Sequence, residues 1–203
     1  MKLYYSPGAC SLAPHIVLRE AGFAFDLVKV DIPNKKTEHG DDYWKINPKG
    51  YVPALVLDNG TVLTEVGVVC QYLADQMPDS GLAPKAGTMD RYHLMEWLNF
   101  IATEVHKQIG ALFNPKMTVE MKQVQLGVIE RRLNALEIMF GARDYLMGER
   151  FSVADAYLFT VLNWTKIHKI DMAKWPKLQA FMARVASRPK VILAIKVEQR
   201  ANK

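Results

Sequence analysis

The feature that most constrains the fold is a Val-Pro step that opens a short apolar run. Val52 and Pro53 are followed by Ala54-Leu55-Val56-Leu57, a run of strand length. Proline has no backbone N–H, so within sheets it lies at the beginning of a strand or at an edge, and it is also the residue that most often follows a cis peptide bond. We therefore predict that Pro53 opens a strand, and the Val52–Pro53 step is a candidate for a cis bond.

A regular order of strands and helices surrounds this step. Asn59-Gly60 supplies the positive φ angles that a tight hairpin turn requires. The apolar periodicities predict strands at 3–5 and 25–30, a hairpin at 55–63, and helices at 11–21 and 65–77. The order is β-α-β and then, after an irregular stretch, β-β-α, which predicts an α/β N-terminal domain.

The character of the chain changes after residue 77. Residues 78–87 contain two prolines and two glycines, a composition typical of an interdomain linker. Beyond them only helical periodicity is found, in segments at 89–113, 118–140, 152–168, 176–187 and 190–199. The third of these opens on Ser152 and Asp155, which have capping-box spacing. We predict a first domain at 1–77, a linker at 78–87 and an all-α helical bundle at 88–203.

The composition is that of a globular protein and argues against two kinds of partner. Of the 203 residues, 50% are hydrophobic and 23% charged. The net charge is +5, but no basic run of five residues occurs, so we expect no nucleic-acid partner. No apolar run approaches the roughly 20 residues that a membrane span needs, so we expect no membrane partner. Two cysteines in unlike contexts and the lack of a signal-peptide pattern at residues 1–5 predict a cytoplasmic protein.

Cys10 lies between the first strand and the first helix, after a Pro7-Gly8 turn. A cysteine at a helix N-terminus faces unpaired backbone N–H groups, which favour thiolate over thiol, so we expect a lowered pKa. Residues 11–13 contain no second cysteine that could close a local disulfide, so an external thiol is the expected partner. Together with the Val-Pro step, Cys10 predicts a thioredoxin-like domain that handles a thiol. Cys70 lies in an apolar helical run and is expected in the core.

A polar stripe is predicted on the first helix of the second domain. Asn99, Thr103 and His106 are spaced i, i+4 and i+7, so in an α-helix they share one face. An amide, a hydroxyl and an imidazole in a row can hydrogen-bond a small polar ligand. The other four histidines have no comparable context, and no metal-ligand spacing occurs, so we expect no metal.

Five segments form a pattern that is specific in its order and spacing. They are Tyr5-Ser6-Pro7-Gly8-Ala9-Cys10-Ser11, Asn47-Pro48-Lys49-Gly50-Tyr51-Val52-Pro53-Ala54-Leu55, Leu63-Thr64-Glu65, Gln71-Tyr72-Leu73-Ala74-Asp75 and Phe151-Ser152-Val153-Ala154-Asp155-Ala156-Tyr157-Leu158. This pattern resembles the soluble glutathione transferases. With Cys10 and His106 the chain is similar to their bacterial beta class, which has cysteine where other classes carry tyrosine or serine. The resemblance implies a homodimer with glutathione as co-substrate.

The resemblance also implies a set of site residues. Cys10 and His106 would be catalytic, with His106 donating a hydrogen bond to the sulfur of glutathione and stabilising its thiolate. Phe113 and Trp164 are candidates for an electrophile pocket, although aromatic residues at helical spacing are more often core. Glutathione would also be bound by Lys35, Val52, Glu65, Val66, Asn99, Thr103 and Glu104, the last reaching the site of the neighbouring subunit.

Three of these positions have a second interpretation or depart from the family pattern. Lys35 lies in Asn34-Lys35-Lys36, which from the sequence alone is equally well a solvated loop. Glu65 opens a helix, where the helix dipole also favours a carboxylate, and the resemblance adds a contact to the γ-glutamyl ammonium. Val66 stands where many family members have a serine whose hydroxyl holds the γ-glutamyl carboxylate. Only the backbone N–H of a valine can do so.

The function that we predict is that of a glutathione transferase. It would conjugate the glutathione thiolate to small hydrophobic electrophiles and thereby detoxify them. One alternative is a glutathione-dependent disulfide reductase, peroxidase or dehalogenase that uses the sulfur of Cys10. Another is a non-catalytic binder of apolar ligands, in which Cys10 and His106 would have no catalytic role. The sequence does not specify the electrophile.

Overall fold

The computed structural model describes residues 1–201. Its strands are β1 (Lys2–Tyr5), β2 (Asp26–Asp31), β3 (Lys36–Thr37), β4 (Ala54–Val56) and β5 (Val62–Thr64). They form one sheet in the order β3-β2-β1-β4-β5, in which β1 and β2 are parallel and the other neighbours antiparallel. With α1 (Leu12–Glu20) and α2 (Val66–Gln76), the element order confirms the predicted thioredoxin-like fold class.

Local sequence explains the connections between these strands. Because β1 and β2 are parallel, the chain must cross over between them, and α1 makes that crossover. The hairpin of β4 and β5 turns at Gly60, whose φ is 83°. The Val52–Pro53 peptide is cis, and Pro53 directly precedes β4, as predicted.

Between α2 and residue 201 the regular structure is helical. Its helices are α3 (Met89–Phe100), α4 (Lys107–Gly110), α5 (Val119–Phe140), α6 (Val153–Leu162), α7 (Trp164–Ile167), α8 (Pro176–Ala186) and α9 (Pro189–Arg200). None of the helices within residues 1–201 has both the length and the apolar character needed to cross a membrane. The division of the chain at residues 78–87 stays a prediction.

Residues 89–113 form the continuous helical segment that was predicted, but the segment is not α-helical throughout. Between α3 and α4 the backbone forms a π-helix at Ile101–His106, and a 3₁₀ turn follows at Ala111–Phe113. Hydrogen bonds in a π-helix join residue i to i+5, so a turn contains more residues and the side chains that follow are rotated relative to an α-helix. The predicted helix at 152–168 is interrupted by a turn at Asn163, between α6 and α7.

Helix α6 lies at the centre of the molecule. All ten of its residues are buried, and it packs against α1, α2, α3 and α8. A helix enclosed on all sides needs no polar face, which explains its continuous apolar run. The predicted cap forms at its start. The Asp155 carboxylate accepts hydrogen bonds from the N–H and O–H of Ser152, at 2.8 and 2.7 Å, and from the N–H of Leu146 at 2.8 Å.

The helical part also holds the turn that precedes Cys10. Glu198 of α9 accepts a hydrogen bond from the N–H of Gly8 at 2.8 Å and pairs with Nδ1 of the buried His15 at 2.8 Å. The indole N–H of Trp164 donates to the carbonyl of Gly8 at 2.9 Å. Because both backbone polar groups of Gly8 are bonded to helical residues, the packing of the helices sets the position of the Cys10 turn.

Candidate active site

A cleft of about 650 Å³ opens between the α/β part and the helical part. Its α/β wall consists of Cys10, Asn47, Lys49, Tyr51, Val52, Pro53, Thr64, Glu65 and Val66. Its helical wall consists of Ala102, His106, Lys107, Gly110, Ala111 and Tyr157. Five residues predicted from the sequence therefore meet here: Cys10, Val52, Glu65, Val66 and His106.

The thiol of Cys10 is bonded to the backbone of the facing segment. Its Sγ lies 3.2 Å from the carbonyl oxygen of Val52, to which it donates. Burial of the thiol raises the pKa of Cys10 to about 12. The backbone N–H groups of Cys10 and Ser11 lower that pKa, as expected at a helix start, but burial outweighs them. The expectation of a lowered pKa for Cys10 is therefore wrong, and in this structure the thiol is a neutral hydrogen-bond donor.

Two side chains fix the segment that presents Val52. The hydroxyl of Tyr43 and the amide of Asn47 both donate to the carbonyl of Tyr51, at 2.9 and 2.7 Å. Within residues 1–201, no protein acceptor is bonded to the N–H of Val52. Val52 thus offers a backbone donor and a backbone acceptor beside the end of β4, an arrangement suited to an extended peptide ligand.

His106 is the last residue of the π-helix and reaches the cleft from the helical side. Its Nδ1 lies 2.6 Å from the hydroxyl of Tyr157 on α6, and the two rings are nearly perpendicular with centroids 5.7 Å apart. Burial, together with the charge of Lys107, lowers the pKa of His106 to about 4, while Glu65 acts in the opposite direction. The imidazole is therefore neutral at pH 7 and can bind a ligand only through hydrogen bonds.

Glu65 precedes α2 with a φ of 69°, a strained value for a residue that is not glycine. Its carboxylate does not cap α2 but pairs with Nζ of Lys49 at 2.6 Å, and the same Nζ lies 3.0 Å from Oγ1 of Thr64. Both side chains of the pair are more than half exposed, so water competes for it and a cationic ligand group can replace Lys49. Val66 is buried at the first position of α2 and adds no polar side chain.

Two family models match this chain over most of its length. The model for the N-terminal domain of glutathione S-transferase matches residues 8–76, and the model for the C-terminal domain matches residues 100–189. Glutathione S-transferase GstA of Escherichia coli O157:H7 is 48% identical over 198 residues, which are 98% of each chain. The chain belongs to the glutathione S-transferase family.

Solved structures agree with this assignment. A sphingomonad glutathione S-transferase complexed with glutathione has 48% identity and a TM-score of 0.95, covering 98% of this chain and 99% of the other. The bacterial beta class glutathione S-transferase of Sphingomonas chungbukensis has 48% identity and a TM-score of 0.94, covering 98% of both chains. The resemblance and the enzyme type predicted from the sequence are confirmed.

Lys35 of this glutathione S-transferase does not line the cleft. Its Nζ donates to the carbonyl of Gly50 at 2.6 Å and lies 5.4 and 5.2 Å from the ring centroids of Trp44 and Tyr51. Of these, Tyr51 lines the cleft. The half-buried side chain is therefore held in place rather than freely solvated, and its role in binding glutathione stays a prediction.

The two aromatic residues predicted for an electrophile pocket lie outside the lining of the cleft. Trp164 is buried behind Gly110, where an added Cβ would lie 3.7 Å from the indole. Its ring centroid is 5.0 Å from that of His106 and 5.4 Å from that of Phe113, which is itself 47% exposed. The small side chains of Ala102, Gly110 and Ala111, rather than the aromatic rings, leave the space along the helical wall.

The polar stripe predicted from the sequence is wrong, because His106 is separated from its other members. Asn99, Thr103 and Glu104 line a second cleft of about 750 Å³, which does not include His106 or Cys10. The π-helix at Ile101–His106 explains the difference, since the predicted face assumed α-helical rotation. Glu104 is also paired with Nε of Arg132 at 2.6 Å.

The sequence did not reveal two residues of the main cleft that contact predicted site residues. Lys49 pairs with Glu65 although 16 positions separate them. Tyr157 bonds His106 from 51 positions away, and it lies within an apolar run that indicated only core packing. Among residues 1–201, no three side chains of His, Cys, Asp or Glu are grouped as a metal ion would require.

Proposed function

We propose that this protein conjugates glutathione to small hydrophobic electrophiles. The observation that carries the proposal is the meeting of Cys10, the backbone of Val52 and the neutral imidazole of His106 in one cleft, where within residues 1–201 the Val52 N–H has no protein acceptor. In the reaction, the glutathione thiol gives up its proton to solvent, its sulfur forms a bond to the electrophilic carbon, and the leaving group departs with the electron pair of the broken bond.

The α/β wall supplies groups that match the parts of glutathione. The N–H and C=O of Val52 would pair with the cysteinyl backbone in the manner of an added strand. Glu65 would exchange Lys49 for the γ-glutamyl ammonium. The N–H of Val66, at the start of the 11-residue helix α2, would bind the γ-glutamyl carboxylate, and Lys35 would lie near the glycyl carboxylate.

The helical wall supplies the group that would act on the sulfur. A neutral His106 stabilises a thiolate by donating a hydrogen bond, which is an electrostatic role, and does not remove the proton as a full general base. The charge of Lys107 on the same wall adds a favourable field. Both effects favour the thiolate of glutathione over its thiol.

We propose that the second cleft takes part in assembly. Asn99, Thr103 and Glu104 lie away from Cys10 of their own chain, so we propose that they face the glutathione site of a second copy in a homodimer. Met89, Tyr92 and Met95 are exposed on α3, an apolar surface consistent with such a contact. We also propose a cytoplasmic location, because both cysteines are free.

A second candidate is a glutathione-dependent reductase that uses the sulfur of Cys10. Cys10 lies in the cleft and no other cysteine lines it, so a disulfide formed by Cys10 would be with an external thiol such as glutathione. The raised pKa of Cys10 argues against the reductase, since little of the thiolate that attacks a disulfide would be present at pH 7. The transferase therefore has the better support.

Steady-state rates with an aryl halide and with a small disulfide, measured for the wild type and Cys10→Ala, test these functions. A transferase keeps turnover of the aryl halide in Cys10→Ala, since the attacking sulfur belongs to glutathione. Loss of that turnover in a variant that still binds glutathione would favour the reductase. A protein that shows no glutathione binding by calorimetry would contradict both, and would favour a non-catalytic binder of apolar ligands.

A further inference from the structure

The hydrogen bond between Tyr157 and His106 bears on which ring nitrogen of His106 is protonated. The phenol oxygen of Tyr157 lies 2.6 Å from Nδ1, a short distance for a bond between a hydroxyl and a ring nitrogen. Tyr157 is 3% exposed, so a hydroxyl proton without an acceptor would be costly. Within residues 1–201, the only acceptor bonded to this hydroxyl is Nδ1 of His106.

We propose that Tyr157 is a positioning residue: its hydroxyl donates to Nδ1 of His106 and thereby keeps the ring proton on Nε2, the nitrogen that donates to the sulfur of glutathione. This inference rests on the proposed function and deepens it. Tyr157 does not itself react, because its effect passes through the tautomer and the orientation of the imidazole.

The protonation of both partners agrees with this direction of donation. Burial raises the pKa of Tyr157, so its oxygen keeps its proton throughout the neutral range. The lowered pKa of His106 means that the ring has a single proton at pH 7. A neutral imidazole that accepts at Nδ1 must have its proton on Nε2. The opposite tautomer would present a lone pair to the thiolate and would repel it.

The orientation of the ring is also restricted from another side. The indole of Trp164 lies edge-on to His106 at 5.0 Å, and its N–H is bonded to Gly8 of the turn before Cys10. The imidazole therefore lies between a tyrosine on α6 and a tryptophan on α7, both of which are buried. The other titratable groups that line the cleft with His106 are Cys10, Lys49, Tyr51, Glu65 and Lys107.

A first experiment reads the tautomer directly. Protein labelled with ¹⁵N-histidine is examined at pH 7 without glutathione by long-range ¹H–¹⁵N NMR, and the His106 signals are assigned by their loss in His106→Gln. We expect the wild type to show only the form protonated on Nε2. A ring protonated on Nδ1, or a mixture of both forms, would overturn the proposal. This measurement needs no second folded variant beyond the one used for assignment.

A second experiment uses Tyr157→Phe, with Tyr145→Phe as the matched control because Tyr145 lies away from this cleft. In Tyr157→Phe we expect a mixture of tautomers, a higher thiol pKa for bound glutathione by ultraviolet titration, and kcat reduced about tenfold. That reduction is smaller than the 10²–10³-fold that removing a donor to a developing negative charge costs. The KM for glutathione should change by less than about twofold, because the contacts of the α/β wall remain.

The outcomes separate this inference from the function on which it rests. A wild-type thiol pKa for bound glutathione in Tyr157→Phe would overturn the positioning role, even if the variant were less stable. An equal loss of kcat in Tyr145→Phe would also overturn it, because the effect would then be structural. If the wild type binds no glutathione by calorimetry, the proposed function fails, while the NMR tautomer still decides whether Tyr157 orients His106.

Discussion

The thiol of Cys10 donates a hydrogen bond to the carbonyl oxygen of Val52 at 3.2 Å, which joins two segments 42 positions apart. This bond brings together the two features that stand out in the sequence, the cysteine before the first helix and the Val-Pro step. It also makes Cys10 a neutral donor, since the same burial that allows the bond raises the pKa of the thiol to about 12. The reactivity of Cys10 therefore depends on the packing of the cleft more than on the helix that follows.

Cys10 should alkylate slowly at neutral pH. Because only the thiolate reacts and the pKa of Cys10 is raised, the rate with iodoacetamide should be below that of free cysteine at pH 7.4 and should still be rising at pH 9. Mass spectrometry of the labelled peptides separates Cys10 from the fully buried Cys70, and Cys10→Ala gives the background rate. A rate that levels off below pH 8 would show a low-pKa thiolate and contradict this account.

His106 should make the protein less stable as the medium becomes acidic. Its pKa is about 4 in the folded protein and 6.5 when unperturbed, so the folded state binds fewer protons than the unfolded state between these values. The contribution is complete above pH 6.5 and is lost as pH falls towards 4, at most about 3 kcal/mol. Urea unfolding midpoints at several pH values, compared between wild type and His106→Gln, isolate the contribution of His106 to the free energy of unfolding.

The comparison with His106→Gln is needed because Asp155 acts in the opposite direction. Burial raises the pKa of Asp155 to about 6, so its contribution is complete below its unperturbed value of 3.8 and is lost as pH rises through 6. The pH dependence of the stability of the wild type is the sum of the contributions of His106 and Asp155. If the stability of wild type and His106→Gln depended on pH in the same way, His106 would not have a lowered pKa.

Restoring a hydroxyl at position 66 should strengthen glutathione binding. Val66→Thr keeps the branched shape of the buried side chain and adds a hydroxyl beside the N-terminus of α2, where the γ-glutamyl carboxylate is proposed to lie. A hydrogen bond to a charged group is worth roughly 1.5–3 kcal/mol before water competes, so we expect the Kd to fall by up to about tenfold. Val66→Ala, which adds no hydroxyl, is the control. Equal or weaker binding in Val66→Thr by titration calorimetry would place the carboxylate elsewhere.

Removing the cap of α6 should destabilise the protein without altering the site. Asp155→Ala leaves the N–H groups of Ser152 and Leu146 buried without their acceptor, so we expect a loss of at least about 2 kcal/mol in the free energy of unfolding. Asp155→Asn, which keeps one acceptor oxygen, should lose less. Glutathione affinity at a temperature where each variant is folded should equal that of the wild type. Wild-type melting combined with weakened binding would make Asp155 a site residue instead.

The features of the fold that agree with the sequence pattern, and those that depart from it, have physical causes. The order of strands and helices and the cap at Ser152 and Asp155 were predicted, because each depends on residues close together in the chain. The grouping of Asn99 and Thr103 with His106 was wrong because a π-helix spaces backbone bonds differently while leaving the apolar pattern intact. The expected lowering of the pKa of Cys10 was wrong because burial by distant residues outweighed the local N–H groups.

The amino-acid sequence by itself determined the two-part architecture and the strand opening at Pro53. These follow from periodicity, turn residues and residue type, which are local properties. Only the tertiary structure decided that Tyr157 bonds His106, that Lys49 pairs with Glu65 and that the thiol of Cys10 faces the Val52 carbonyl. Burial and direct contact between residues far apart in the chain set proton positions and pKa values, and neither can be seen in the order of residues.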